Sequence, residues 1–427
     1  MLAVLPDGRD RYDRSCWTAA PLRAGWRVGE VLRRSMGGPR SERTVGDRIA
    51  MNFLVLGDGP DELAWAHMLA DHPDHRLWAA YPGFKAFPDL PGGSDLDEAL
   101  ATAGVEAVVA GGAPDLRSEG LRRAAAAGLP VLCLHPPGAD ADAYYQVALS
   151  HQETGAIVVP DLPARLHPGL ETLRQAIASQ ELGAYRGLRF EMPVGPADGS
   201  LLGVVFPRVI DAVRALLGEV DALTASGDPP GEDPADSLLV ILRGPDARRG
   251  EARLWTGPHE PARLSLAGDR GSLTLEFDPT FCGAARLVRR LPASRESETT
   301  TELEPWDPRA AILQTLTEAV AGHQVHPDLL DGTRTMEIAQ AAAQSLRRGR
   351  TIDLHYEEVS EASNFKSVMI SMGCLLLFAA MIALPAALIG PSVGFPWTIY
   401  IAYAIPPVLI GFMLLQGLKL AMKKESS

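Results

Sequence analysis

Residues 51–81 read MNFLVLGDGPDELAWAHMLADHPDHRLWAAY, and this stretch decides the fold. Phe53-Leu54-Val55-Leu56 is a short apolar run that stops at Gly57-Asp58-Gly59. A helical stretch follows with Leu63, Ala66, Leu69 and Ala70 on one face, and Arg76–Tyr81 reads as a second strand. The same alternation continues outward. Asp95–Ala103 predicts a helix, Val105–Ala110 a strand, Leu121–Ala127 a helix closed by Gly128, and Val131–Leu134 a strand. Strands that alternate with helices and are apolar throughout imply a parallel, doubly wound sheet covered on both faces. Residues 51–150 are accordingly assigned to one α/β domain.

After about residue 155 the pattern changes. Ile157-Val158-Val159 predicts a strand and Gly169–Ser179 a helix. Segments 186–193, 237–243, 251–255, 261–266 and 272–277 alternate apolar and polar residues, as half-buried antiparallel strands do. Helices are predicted over Val209–Leu217, Arg309–Ala321 and Thr333–Arg347. Residues 151–355 therefore read as an α+β domain with an open, mainly antiparallel sheet and helices on one face. The acidic stretch Glu296–Glu302 reads as a polar loop.

Composition narrows the function classes. The 427 residues are 46% hydrophobic and 22% charged, which excludes disorder of the whole chain. A net charge of −13 argues against a nucleic-acid partner. Four scattered cysteines (Cys16, Cys133, Cys282, Cys374) give neither a disulfide framework nor a thiolate zinc site. His72 with His75, and His323 with His326, lack a third ligand at a known spacing, so no metal is assigned. Residues 1–50 are Arg-rich and aperiodic and read as a disordered extension or a mis-assigned start, since Met51 directly precedes the first strand.

The C-terminus carries two charge-free runs, 368–390 and 395–418, joined by Pro391-Ser392-Val393-Gly394. Each is long enough to span a hydrocarbon core of about 30 Å. The expectation is a linker at 356–367, a transmembrane hairpin at 368–420 and a tail at 421–427. Lys366, Lys419, Lys423 and Lys424 flank the hairpin on its chain-end side. The positive-inside rule then puts the body and both termini in the cytoplasm, with bilayer lipid as a partner. No Asp, Glu, Arg, Lys or His lies inside either run, which suits an anchor rather than an ion path.

Gly57-Asp58-Gly59 sits between a strand and a helix, the context of the dinucleotide fingerprint Gly-x-Gly-x-x-Gly. The third glycine position holds Glu62. A side chain there pushes the helix from the sheet and sets a carboxylate near a diphosphate. The acid expected at the end of the second strand, for the ribose hydroxyls, falls on Tyr81. By residues alone the turn is kept and the ligand contacts are incomplete.

Several segments, in order, resemble one family. They are Gly57–His67 with His72-Pro73-Asp74, Ala127–Pro136, Arg165–Pro168 with Ile177–Gly183, Asp211–Gly218, Gly268–Leu273 and Arg334–Arg350. Over about 52–355 the chain resembles the Gfo/Idh/MocA oxidoreductases. That resemblance implies a Rossmann domain binding NAD or NADP and an α+β domain. It also implies a sugar, cyclitol or related alcohol or carbonyl substrate, and a homo-oligomer built through the open sheet. The cofactor positions it implies are Gly57, Asp58, Gly59, Pro60, Tyr81, Gly112 and Pro136. The family's catalytic lysine falls on His135 and its preceding glutamate on Leu134, while its aspartate and histidine fall on Val204 and Arg208. Only the last acid of that motif, Asp211, remains, and the one lysine of the body is Lys85. His135 as base, Arg208 as oxyanion partner and Asp211 are the candidate catalytic residues. The bland alternative for His135 is a strand-end residue without chemistry. Two functions follow: a membrane-anchored NAD(P) oxidoreductase, or an inactive relative that senses a nucleotide or sugar or acts as a scaffold at the membrane.

Overall fold

The computed structural model describes residues 49–195, 199–231, 236–291 and 298–355, with three helical positions beyond them, Met381, Pro385 and Ile389. Residues 1–48 and, those three positions apart, the expected hairpin 368–420 lie outside the described residues. Among the described residues no helix is long and apolar enough to cross a membrane. The chain divides into two units, Met1–Leu354 and His355–Ser427, and the first is described here.

Five strands form the first sheet: Asn52–Leu56 (β1), Arg76–Tyr81 (β2), Ala107–Ala110 (β3), Val131–Cys133 (β4) and Val158–Pro160 (β5). Their order is β2-β1-β3-β4-β5, and every pairing is parallel. Helices Pro60–Asp71 (α1), Leu96–Leu100 (α2), Pro114–Ala126 (α3) and Asp142–Thr154 (α4) connect the strands. The alternating faces of β1 show why its run is apolar throughout. Phe53 and Val55 pack with Trp65, Ala66 and Leu69 of α1, and Leu54 and Leu56 pack with Leu121, Ala124 and Ala125 of α3. β5, beyond residue 150, pairs with β4 and belongs to this sheet.

The second sheet has nine strands: Tyr185–Val194 (β6), Ala222–Asp228 (β7), Ser237–Arg243 (β8), Arg249–Thr256 (β9), Ala262–Gly268 (β10), Gly271–Phe277 (β11), Gly283–Arg290 (β12), Glu298–Trp306 (β13) and Ile352–Asp353 (β14). Their order is β13-β12-β11-β10-β6-β9-β8-β7-β14, antiparallel except for the parallel pair β6–β9. Pro168–Ala178 (α5) and Phe206–Leu217 (α6) pack against its inner face, where Leu173, Phe206 and Val213 meet Phe190, Leu254 and Leu264. β13 corrects the expected polar loop: its residues are exposed along most of the strand, so no apolar alternation marks it.

Two further helices cross back toward the first sheet. Pro308–Val320 (α7), expected with the second sheet, sends Ile312, Leu313 and Leu316 into the core that holds Phe53 and Val55. Leu329–Arg348 (α8) opens on a capping box between Asp328 and Asp331 and closes on Gly349 in the left-handed conformation. It touches both sheets, with Met336 in the core beside Tyr144 and Ile338 in the core of the second.

Candidate functional site

In an open parallel sheet, ligands bind at the carboxyl ends of the strands. Here that edge carries the turn Gly57–Gly59 after β1, Gly111-Gly112 after β3 and His135-Pro136 after β4. Gly57 has φ 104° and donates its N–H to the Tyr81 carbonyl at 2.8 Å, which fixes the turn against β2. Gly59 caps α1 and Pro60 occupies its first turn. These residues stand where the sequence predicts.

The space between the two glycine loops is taken by Glu62, which is only 4% exposed. Its Oε1 accepts the Gly112 N–H at 2.6 Å. Its Oε2 lies 2.5 Å from where a Cβ on Gly59 would stand, and its Cγ lies 2.5 Å from the corresponding point on Gly111. The carboxylate thus lies against three glycines of both loops and uses the Gly112 donor. The preceding residue, Asp61, pairs with Arg208 of α6 (Nη2 to Oδ2, 2.8 Å) and lies 3.9 Å from Arg309 of α7. Burial pushes the Asp61 carboxyl up, but Arg208, Arg309 and Arg117 outweigh it and hold the group below its usual value.

Two arginines also bond to the backbone of this edge. Arg117 of α3 donates to the Pro136 carbonyl at 2.6 Å and the Gly112 carbonyl at 2.8 Å. Arg208 donates through Nε to the His135 carbonyl at 2.8 Å. Asp58 and Pro60 face outward, and Tyr81 is half-buried. Val204 lies in the turn that leads into α6.

His135 is not an accessible base. It is 0% exposed, with Nδ1 at 3.0 Å from the Tyr144 hydroxyl and Nε2 at 3.1 Å from Thr335 Oγ1. Thr335 Oγ1 donates to the Gly332 carbonyl at 2.7 Å, so its oxygen accepts from Nε2–H and Nδ1 accepts from Tyr144. Both ring nitrogens are then committed within the fold. Burial, aided by Arg208 and Arg117, pushes the imidazole pKa down from 6.5 to about 3. The unfolded chain therefore binds this proton first as pH falls. The stability tied to the neutral ring is complete above 6.5 and is lost as pH drops toward about 3. We expect the urea midpoint of the wild type to fall over that window and the slope to flatten in His135→Gln. An unchanged slope would contradict the buried, neutral ring.

Asp211 is 0% exposed and serves the fold rather than the strand edge. Arg165 grips it with two bonds, at 2.7 and 2.6 Å, and reaches Asp331 of α8 at 2.9 Å. Arg214, one turn along α6, pairs with both acids. His326 Nδ1 lies 2.7 Å from Asp331 and, with Asp328, forms a group of metal-ligand type. The Asp331 carboxylate in that group is already held by two arginines. The other paired histidines, His72 and His75, build a turn in which His72 Nδ1 accepts two backbone N–H groups at 3.1 Å. A cavity of about 500 Å³ lies elsewhere, against the β10–β11 turn, and none of its lining residues belongs to the strand edge.

Asp61, Arg117, Tyr144, Arg165, Arg214, Asp331 and Thr335 are residues that sequence reasoning missed. One signal was present: Asp211 and Arg214 stand three apart on a helix that is otherwise nearly all apolar.

No family model matches the sequence, and no curated protein matches it. Solved structures do. A putative myo-inositol dehydrogenase from Sinorhizobium meliloti is 20% identical, with a TM-score of 0.56 over 71% of this chain and 100% of that one. A putative NADPH-dependent oxidoreductase from Desulfitobacterium hafniense is 15% identical, with a TM-score of 0.62 over 71% and 97%. A levoglucosan dehydrogenase in complex with NADH and L-sorbose is 16% identical, with a TM-score of 0.59 over 72% and 100%. The chain has the two-sheet fold of Gfo/Idh/MocA-type oxidoreductases. Its strand edge does not fit the dinucleotide that this fold implies. The Gly112 donor is spent on the buried Glu62 carboxylate, which lies against Gly59 and Gly111 and would repel a diphosphate brought to these loops.

Proposed function

We propose that this chain is a non-catalytic relative of the sugar and polyol dehydrogenases, held at the cytoplasmic face of a membrane by residues 368–420 and acting there as a scaffold. The observation that carries the reading is the state of His135 and Arg208. Hydride transfer from an alcohol needs a base for the hydroxyl proton and a cation for the alkoxide. His135 has both ring nitrogens bonded inside the core, and Arg208 is bound to Asp61 and to a backbone carbonyl. The body's one lysine, Lys85, follows β2 and is exposed. Two charge-free C-terminal runs support the membrane anchor, and their flanking lysines support the orientation.

The competing reading is a membrane-held NAD(P) oxidoreductase acting on a sugar or cyclitol. It rests on the fold and on the intact Gly57–Gly59 turn. Turnover separates the two. The full chain in detergent, given NAD+ or NADP+ and a panel of polyols and aldoses, should leave the nicotinamide oxidised. Reduction that depends on one of these substrates would make it an enzyme. Protease added to intact cells should leave the body uncut, and cleavage there would reverse the orientation. Pairing of two copies through the open sheet face belongs to the same proposal. Crosslinking that yields only monomers would remove that part.

A further inference from the structure

We propose that Asp61 and Glu62 are the chain's own substitute for a bound diphosphate, so that the closed form of the strand edge is reached without a ligand. The inference rests on the non-catalytic reading and says what replaced the cofactor. A diphosphate diester carries two negative charges on adjacent groups and binds at a helix N-terminus by taking loop N–H groups and a nearby cation. Asp61 and Glu62 are two adjacent acids in the first turn of α1. Glu62 takes the loop N–H, from Gly112 at 2.6 Å. Asp61 takes the cation, Arg208 at 2.8 Å, with Arg309 nearby at 3.9 Å. Acids in the first turn of a helix are common and ordinarily face water, because the helix dipole favours them there. Glu62 does not face water. It is 4% exposed and lies against Gly57, Gly59 and Gly111, whose missing side chains leave it room.

The arrangement also joins elements distant in sequence. Glu62 links α1 to the β3 loop, and Asp61 links α1 to α6 and α7. A diphosphate crossing the same edge would make links of the same kind. Removing the Glu62 side chain should therefore loosen the edge and uncover an anion site that NADH or inorganic pyrophosphate can fill.

The test is thermal unfolding of the full chain in detergent, with and without NADH or inorganic pyrophosphate. The wild type should show no ligand-dependent shift. Glu62→Ala should melt lower than the wild type and recover part of the loss with either ligand. Its NADH affinity should exceed the wild type's by roughly tenfold to a thousandfold, the range set by removing one like charge at close approach. Glu62→Ser, which keeps a polar group at the helix start, carries the test if the alanine variant does not fold. A folded Glu62→Ala or Glu62→Ser chain that responds to neither ligand overturns this inference and leaves the non-catalytic reading standing. Failure of both variants to fold even with NADH present overturns it as well, because the ligand is held to replace the carboxylate. A wild-type chain stabilised by NADH overturns the inference, while the non-catalytic reading falls only if that chain also reduces the nicotinamide with a polyol or aldose.

Discussion

Asp211→Ala is expected to destabilise the body by about 3–5 kcal/mol, the cost of removing one partner from a buried ion pair. The size follows from what the substitution strands. Arg165 makes two bonds to Asp211 and a third to Asp331, and its side chain is only 10% exposed. Arg214 is more buried still and shares both acids. Without Asp211, two guanidinium groups share one remaining buried carboxylate. Stabilities of 5–15 kcal/mol are usual, so a large share of the total is lost. The double variant Arg165→Met with Asp211→Leu should cost less than Asp211→Ala alone, because it leaves Arg214 paired with Asp331. Urea unfolding of the three chains measures this. An Asp211→Ala midpoint equal to wild type would show that the network does not hold the fold.

Gly57→Ala is expected to cost about 2–6 kcal/mol, from backbone strain and overpacking together. Gly57 has φ 104°, a conformation that side-chain-bearing residues rarely adopt. Its added Cβ would stand 2.3 Å from Gly112 N and 2.6 Å from Gly112 Cα. Both are backbone atoms, which have no rotamer to move aside. The close approach of these two loops is also what lets Glu62 reach the Gly112 N–H. Gly83→Ala is the control: nothing lies within 4 Å of its Cβ position. It should stay within about 0.5 kcal/mol of wild type. Equal midpoints for the two variants would mean that the loops do not approach as described.

The first sheet was legible because its strands carry short apolar runs bounded by turn residues, as buried parallel strands do. The second was legible where alternation was strong, as in β8, and not in β13, whose residues are mostly exposed. The placement of α7 was not legible, since its apolar positions do not say which sheet they meet. The site divides in the same way. Glu62 stood out as an intruder at a glycine position, but its hydrogen-bond donor lies 50 residues away. His135 was legible as a replaced lysine. Its burial depends on Tyr144 and on Thr335, which is 200 residues distant and reaches the ring only because α8 crosses back to the first sheet. Asp211 was legible as a retained acid, whereas its partners, Arg165 on a turn and Arg214 on α6, are shared with Asp331 of α8.

If the chain's own acids occupy the strand edge, as proposed, Glu62 competes with any dinucleotide for the Gly112 N–H. The most direct measurement is a titration of the full-length wild-type chain in detergent with NADH and NADPH, followed by nicotinamide fluorescence and calorimetry. No saturable signal is expected up to millimolar cofactor. Saturation in the micromolar range would contradict it, because Glu62 would then have to leave the glycine loops and give up the Gly112 N–H to the ligand.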